Sequence, residues 1–238
     1  MKIALVGYGK MGHAIEEIVL EKGHEIVLKI DINNANELTK ENLQRADVAI
    51  EFTSPHSAVE NLKKCFDAGI AVVCGSTGWL DHWNEIKQYC IDRNGAFVYA
   101  SNFSIGVNLF FEVNTFLAKL MSRHNEYDVL LEEIHHTQKK DAPSGTAITL
   151  ADQVLQQIKR KKVWVNHISD NSEELEIISE RIDPAPGTHK IKYRSSIDDI
   201  EIIHTAHNRK GFASGAVLAA EFIQNKKGIY NMKDVLGL

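Results

Sequence analysis

Gly7-Tyr8-Gly9-Lys10-Met11-Gly12 is the stretch on which the fold turns. Before it, Lys2 to Val6 is a short apolar run that reads as a strand. After it, Ala14, Ile15, Ile18 and Val19 share one face of a helix. A G-x-G-x-x-G segment between a strand and a helix is a dinucleotide-binding fingerprint. The first glycine permits the tight turn, the second lets backbone approach a pyrophosphate, and the third lets helix pack on strand. The pyrophosphate would lie at the helix N-terminus, where N–H donors and the dipole favour negative charge. The next strand, Glu25 to Ile30, ends at Asp31, 19 residues after Gly12, where an acid can accept hydrogen bonds from an adenosine ribose. Asp31 would repel a 2′-phosphate, whereas Lys10 could reach one. Both NADH and NADPH are therefore expected to serve, with Asp31 favouring NADH.

Strands and helices go on alternating to about residue 100. Ile32 to Arg45 is polar, with room for little more than a turn of helix. Asp47 to Phe52 reads as a third strand, followed by a helix from Ala58 to Asp67 that Gly69 ends. Ile70 to Cys74 closes on Gly75-Ser76-Thr77-Gly78, and Phe97 to Ala100 closes on Ser101-Asn102-Phe103. This is the pattern of an α/β, doubly wound parallel sheet, in which cofactors bind beyond the carboxyl ends of the strands. From Ser104 the pattern changes to an apolar helix, Val107 to Met121, then a strand, a loop, a second helix and segments that alternate like antiparallel strands. Those segments are Glu176 to Ser179, His189 to Tyr193 and Ile200 to His204. They describe a smaller α+β domain with a mixed sheet. The expected division is 1–103 for dinucleotide binding, 104–210 for substrate binding and oligomerisation, and 211–238 for a helix returning to the first domain.

Composition narrows the function classes. The chain of 238 residues is 44% hydrophobic and 25% charged, as in soluble globular proteins. A formal charge of −5 gives no whole-molecule attraction to nucleic acid or an anionic membrane, so neither is expected as a partner. Cys65, Cys74 and Cys90 form no disulfide framework or zinc spacing, which favours a reducing, cytoplasmic compartment. The sequence opens on a strand without a basic-then-apolar run, so no signal peptide is expected, and no run of about 18 apolar residues suggests a membrane span.

The segment most loaded with chemistry is Glu133-Ile-His-His-Thr-Gln-Lys-Lys-Asp-Ala-Pro-Ser-Gly-Thr-Ala147. Two histidines close the apolar strand Val129 to Ile134, Lys139 follows, and a helix pattern starts at Ser144. Pro143 suits a first helical turn. The N–H groups of Ser144, Gly145 and Thr146 would then be left to meet an anion. A proton donor, a fixed cation and an anion cradle in one segment suit a carboxylate-bearing substrate undergoing proton transfer. A metal site at His135, His136 and Asp141 is disfavoured, because neighbouring strand residues point to opposite faces.

Together these motifs resemble the 4-hydroxy-tetrahydrodipicolinate reductases, or dihydrodipicolinate reductases, of lysine and diaminopimelate biosynthesis. The resemblance runs nearly end to end. It rests on Gly7 to Gly12, Gly75 to Gly78, Ser101 to Asn108, Pro186 to His189 and His204 to Arg209. Above all it rests on His135-His136-x-x-Lys139-x-Asp141-Ala142-Pro143-Ser144-Gly145-Thr146-Ala147. It implies reduction of a small cyclic imine dicarboxylate, with loss of water and transfer of a nicotinamide hydride. His135 would be the general acid/base and Lys139 the second proton donor. His136, Ser144, Gly145 and Thr146 would hold a substrate carboxylate, with Arg181 adding positive potential. An imidazole, ordinarily titrating near pH 6.5, can give and retake a proton at neutrality. Cofactor contacts would map to Gly7, Tyr8, Gly9, Lys10, Met11, Gly12, Asp31, Gly75, Ser76, Thr77, Ala100, Ser101, Asn102 and Phe103. The resemblance also implies a homotetramer built through the second domain's sheet. Ser76 stands where threonine is common, and the Ile32 to Arg45 unit is short for the family, which leaves the adenine side more open. Another two-domain NAD(P)-dependent oxidoreductase would not account for His-His-x-x-Lys joined to Pro-Ser-Gly-Thr. A non-catalytic NAD(H)-binding redox sensor would need the first domain but no proton donor.

Overall fold

The computed structural model describes residues 1–238 as two compact units, one of Met1–Ile105 with Arg209–Leu238 and the other of Gly106–Asn208. The first is built on a parallel sheet of six strands: β1 (Lys2–Val6), β2 (Glu25–Ile30), β3 (Val48–Glu51), β4 (Ala71–Cys74), β5 (Ala96–Tyr99) and β11 (Gly228–Tyr230). Their order is β11-β5-β4-β3-β1-β2. The chain thus leaves β1 in one direction to β2 and in the other to β3, and the crevice between β1 and β3 is the switch point of the sheet.

Period-2 alternation in buried strands supplies two cores. Ala4, Val6, Ala49, Val72 and Phe97 face α3 (Pro55–Ala68) and α4 (Trp83–Asp92), through Leu62, Phe66 and Ile86. Ile3, Leu5, Ile50, Val73 and Val98 face the other way, toward α1 (Lys10–Glu21) and α7 (Lys210–Ile223). The small residues Ala213, Ala216 and Ala220 bring α7 close to the sheet, and all are fully buried. The polar stretch after β2 forms a 3₁₀ segment, Ile32–Glu37, broken at Asn34, and a four-residue helix α2 (Lys40–Leu43). Strand β11 and the terminal helix α8 (Met232–Leu236) were not foreseen from sequence. Each is short, and β11 adds to the sheet edge through backbone pairing with β5 rather than by a hydrophobic pattern of its own.

The second unit has a five-stranded mixed sheet, ordered β10-β9-β6-β8-β7. Its strands are β6 (Asp128–His135), β7 (Val163–Val165), β8 (Glu174–Arg181), β9 (Gly187–Arg194) and β10 (Asp199–Ala206). The expectation of antiparallel pairing holds for β9 and β10. Strand β8 instead runs parallel to β6, and so does β7 to β8, because α6 (Gly145–Gln157) returns the chain before β7 and the loop 166–173 returns it again before β8. Helix α5 (Ile105–Met121) and α6 cover one face through Phe110, Leu150, Ala151 and Val154, packed on Val129, Leu131, Ile177, Ile191 and Tyr193. Residues 129, 131, 133 and 135 of β6 share that covered face, so the hydrophobic side of the strand ends in a carboxylate and an imidazole.

Candidate active site

In the first unit, the carboxyl ends of β1, β3 and β4 open on a pocket of about 430 Å³ at the switch point. It is lined by Gly9, Lys10, Met11, Phe52, Thr53, Pro55, Gly75, Ser76 and Thr77. Helix α1 begins there without a side-chain cap and without an acidic residue in its first turn. Its first helical hydrogen bond is His13 N–H to the Gly9 carbonyl, so the preceding N–H groups have no acceptor within the helix. An uncapped helix N-terminus opening on the crevice fits a pyrophosphate.

Gly7 has φ +101°, and a Cβ there would lie 2.1 Å from the Phe52 carbonyl oxygen. Its role is thus to let β1 turn against β3, while Gly12 sits as closely on the Gly7 carbonyl. Tyr8 donates its hydroxyl to Glu16, whose carboxylate also pairs with Lys29 at 2.5 Å. Asp31 stands exposed after β2, its carboxylate accepting from Ile32 N–H at 2.8 Å. After β5, Ala100 and Asn102 are half-buried and Ser101 is exposed. The Phe103 side chain is buried against Phe52, with ring centroids 5.7 Å apart, and its carbonyl lies so close to Gly215 that a Cβ there would be 1.7 Å away. Phe52 and Pro55 were not expected as pocket residues, and Thr53 also lines the pocket. The signal for them was their place at the carboxyl end of β3.

A fully buried carboxylate underlies this pocket. Glu51 on β3 accepts from the Thr53 N–H at 3.1 Å and from the Thr53 hydroxyl, and its other oxygen lies 3.1 Å from the Cys74 thiol. The Thr53 N–H also reaches the Ser76 hydroxyl at 2.7 Å. Burial, with Glu51 beside it, pushes the Cys74 thiol well up and keeps it protonated. Cys65, Cys74 and Cys90 are all free and buried.

In the second unit the site gathers around the end of β6. His135 is the last strand residue and nearly buried, whereas His136 lies one step past the strand, half-buried. Lys139 Nζ sits 2.8 and 2.9 Å from the two oxygens of Asp141. Burial raises the Asp141 pKa, but the Lys139 hydrogen bond and charge more than offset this and hold it below the usual range. Ser144 is the N-cap of α6, its hydroxyl accepting from Ala147 N–H at 3.2 Å, and Gly145 and Thr146 open the helix.

Glu133, with no solvent exposure, ties these parts together. It accepts from Ser144 N–H at 3.1 and 3.2 Å and from Arg181 Nη2 at 3.1 Å. Its Oε2 lies 3.3 Å from His135 Nδ1 and 3.8 Å from His189 Nε2. Burial pushes the Glu133 carboxyl up, but the His135 imidazole beside it and the hydrogen bonds from Ser144 and Arg181 more than offset this and hold it well below the usual range. His189 is buried too, and desolvation, with His135 beside it, lowers its pKa to about 3. Ligand atoms of Glu133, His135 and His189 lie within 4.8 Å of one another, but the adjoining Arg181 guanidinium opposes a cation there. Two expected substrate donors are therefore engaged within the protein: the Ser144 N–H by Glu133, and Arg181 by Glu133 and three backbone carbonyls. Glu133 and His189 were not singled out from sequence. The alternation of β6 that buries position 133 beside 135 was the available signal for the first.

Two family models match in succession: "Dihydrodipicolinate reductase, N-terminus" over residues 1–103 and "Dihydrodipicolinate reductase, C-terminus" over residues 106–236. A 4-hydroxy-tetrahydrodipicolinate reductase of Christiangramia forsetii is 50% identical over 236 residues, covering 99% of this chain and 98% of that protein. Another, of Methanocaldococcus jannaschii, is 35% identical, covering 98% and 81%. A solved dipicolinate-bound dihydrodipicolinate reductase of Paenisporosarcina sp. TG-14 shares the fold, with TM-score 0.78, 22% identity and 97% of each chain covered.

Proposed function

The chain belongs to the dihydrodipicolinate reductase family, and on that premise we propose that it reduces 4-hydroxy-tetrahydrodipicolinate to tetrahydrodipicolinate. The substrate loses one water and gains one hydride and one proton. The observation that carries the reading is the end-to-end match to a curated reductase of that name. The dinucleotide-binding unit is the family's NAD(P)-binding domain, and bound NADH or NADPH supplies the hydride.

The residue assignments are part of the proposal. Gly9, Lys10, Met11 and Gly75 to Thr77 hold the phosphates and nicotinamide side, and Asp31 holds the ribose. What supports them is the uncapped α1 N-terminus in the pocket and the acid at the end of β2. His135 gives the proton to the ring carbon beside the hydride acceptor. Lys139 is the second donor and binds a substrate carboxylate, which takes over the position that Asp141 occupies against Nζ. His136 and the N–H groups of Gly145 and Thr146 meet the same carboxylate. In a low-dielectric pocket such fixed donors stabilise developing charge without reorganisation.

A homotetramer in the cytoplasm completes the proposal. Supporting assembly through the second unit, α5 exposes a stripe of Leu109, Val113, Phe116 and Leu120, and β10 exposes Ile203. Supporting the compartment, three cysteines remain unpaired thiols. No helix is long and apolar enough to cross a membrane.

The test is oxidation of NADH or NADPH at 340 nm, with substrate made in situ by the synthase that condenses pyruvate with aspartate semialdehyde. Turnover should require the substrate and collapse in both His135→Gln and Lys139→Ala. A folded, NADH-binding protein that does not turn over would overturn the reading.

A further inference from the structure

We propose that Glu133 is the positioning residue of the reaction, a buried carboxylate that takes the Nδ1–H of His135 and so presents Nε2 to the substrate. The proposal rests on the reading of His135 as the acid/base.

Three observations carry it. First, the two nitrogens of His135 have different surroundings. Nδ1 is buried, makes no hydrogen bond, and has Glu133 Oε2 at 3.3 Å, a contact not yet aligned as a formed bond. Catalytic hydrogen bonds are often this loose before substrate arrives. On the other side, the backbone of Gly187 passes so close that a Cβ there would lie 3.1 Å from Nε2. The missing side chain leaves that nitrogen approachable. Second, Glu133 is held as an anion, because hydrogen bonds from Arg181 and from the Ser144 N–H are directed at its charge. A fixed anion beside Nδ1 selects the Nδ1–H tautomer and stabilises the imidazolium when Nε2 takes a proton. Third, the orientation is over-determined. Glu133 and His135 project from the same face of β6, and the His189 ring packs edge-on against His135 at 5.1 Å, leaving the imidazole little room to rotate.

This explains why a charge is kept at a site with no solvent. A buried carboxylate is costly unless paired and hydrogen-bonded, and one that only linked Arg181 to α6 would have no need to touch the imidazole. The arrangement makes one group responsible for three features at once: the imidazole tautomer, the start of α6 and the guanidinium of Arg181.

The test combines kinetics with nitrogen-15 NMR of histidine-labelled enzyme. In the wild type His135 should be the Nδ1–H tautomer at pH 8; a resolved Nε2–H tautomer overturns the proposal without any variant. Glu133→Gln should lower kcat by about 100-fold or more, keep KM within about threefold, and shift His135 toward Nε2–H. Glu133→Asp, which keeps the charge, should retain the wild-type tautomer and recover about tenfold of the lost kcat. Full activity in Glu133→Gln, or loss confined to KM with the tautomer unchanged, overturns the proposal. His135→Gln is run alongside. If it stays active, the acid/base reading itself has failed; if it is dead while Glu133→Gln is not, only the positioning role has.

Discussion

Arg181 Nη2 lies 3.1 Å from Glu133 Oε1, across the parallel pair of β6 and β8 in which His135 and Arg181 are in register. The same guanidinium donates to the carbonyls of Asp141 at 2.5 Å, Glu180 at 2.8 Å and Lys139 at 3.3 Å. It therefore fastens the loop that carries Lys139 to the sheet and answers a buried charge.

Removing that guanidinium leaves Glu133 buried without its cation. Arg181→Ala is expected to lower unfolding stability by about 3 kcal/mol, the scale for breaking a buried pair from one side. Arg181→Lys should recover less than half, since an ammonium cannot supply the same planar set of donors. Urea denaturation followed by circular dichroism reads the difference. If Arg181→Ala is as stable as wild type and loses only substrate affinity, Arg181 is a substrate ligand rather than a support.

Glu51 plays a comparable part beneath the cofactor pocket. By accepting from both donors of Thr53 it fixes a loop that also meets Ser76. Glu51→Ala is expected to weaken NADH binding by about tenfold, the cost of about one lost hydrogen bond. Titration by fluorescence or calorimetry checks this, and an unaltered Kd would remove Glu51 from the account.

The acid side of the stability profile should carry the signature of His189. Its folded pKa, about 3, lies below the unfolded value near 6.5, so the unfolded chain binds more protons between those limits. Stability accordingly rises with pH through that window and is lost as pH falls. The depressed Glu133 carboxyl acts in the same direction, contributing stability above its ordinary range that is lost on acidification. His189→Gln should flatten the profile, reducing the loss between pH 6 and pH 4 by about 2 kcal/mol. Parallel profiles for variant and wild type would show that His189 is not the neutral buried group described.

Local pattern was enough to read the cofactor half. Gly7 to Gly12 lies between a strand and a helix, and tight turns, helix starts and strand ends are set by residues a few positions apart. The loop from His135 to Ala147 was legible for the same reason, and with it the family. Strand β11 escaped because its pairing is made by backbone alone at a sheet edge. What only the tertiary structure decided is who partners whom. Glu133 meets Arg181, 48 residues away, because β8 returns parallel to β6, and meets His189 because β9 lies on the other side. The sequence by itself determined which chemical groups stand at the end of β6. Burial and register, which depend on strands distant in the chain, decided that Glu133 lies buried beside the His135 imidazole and accepts from Arg181 and the Ser144 N–H.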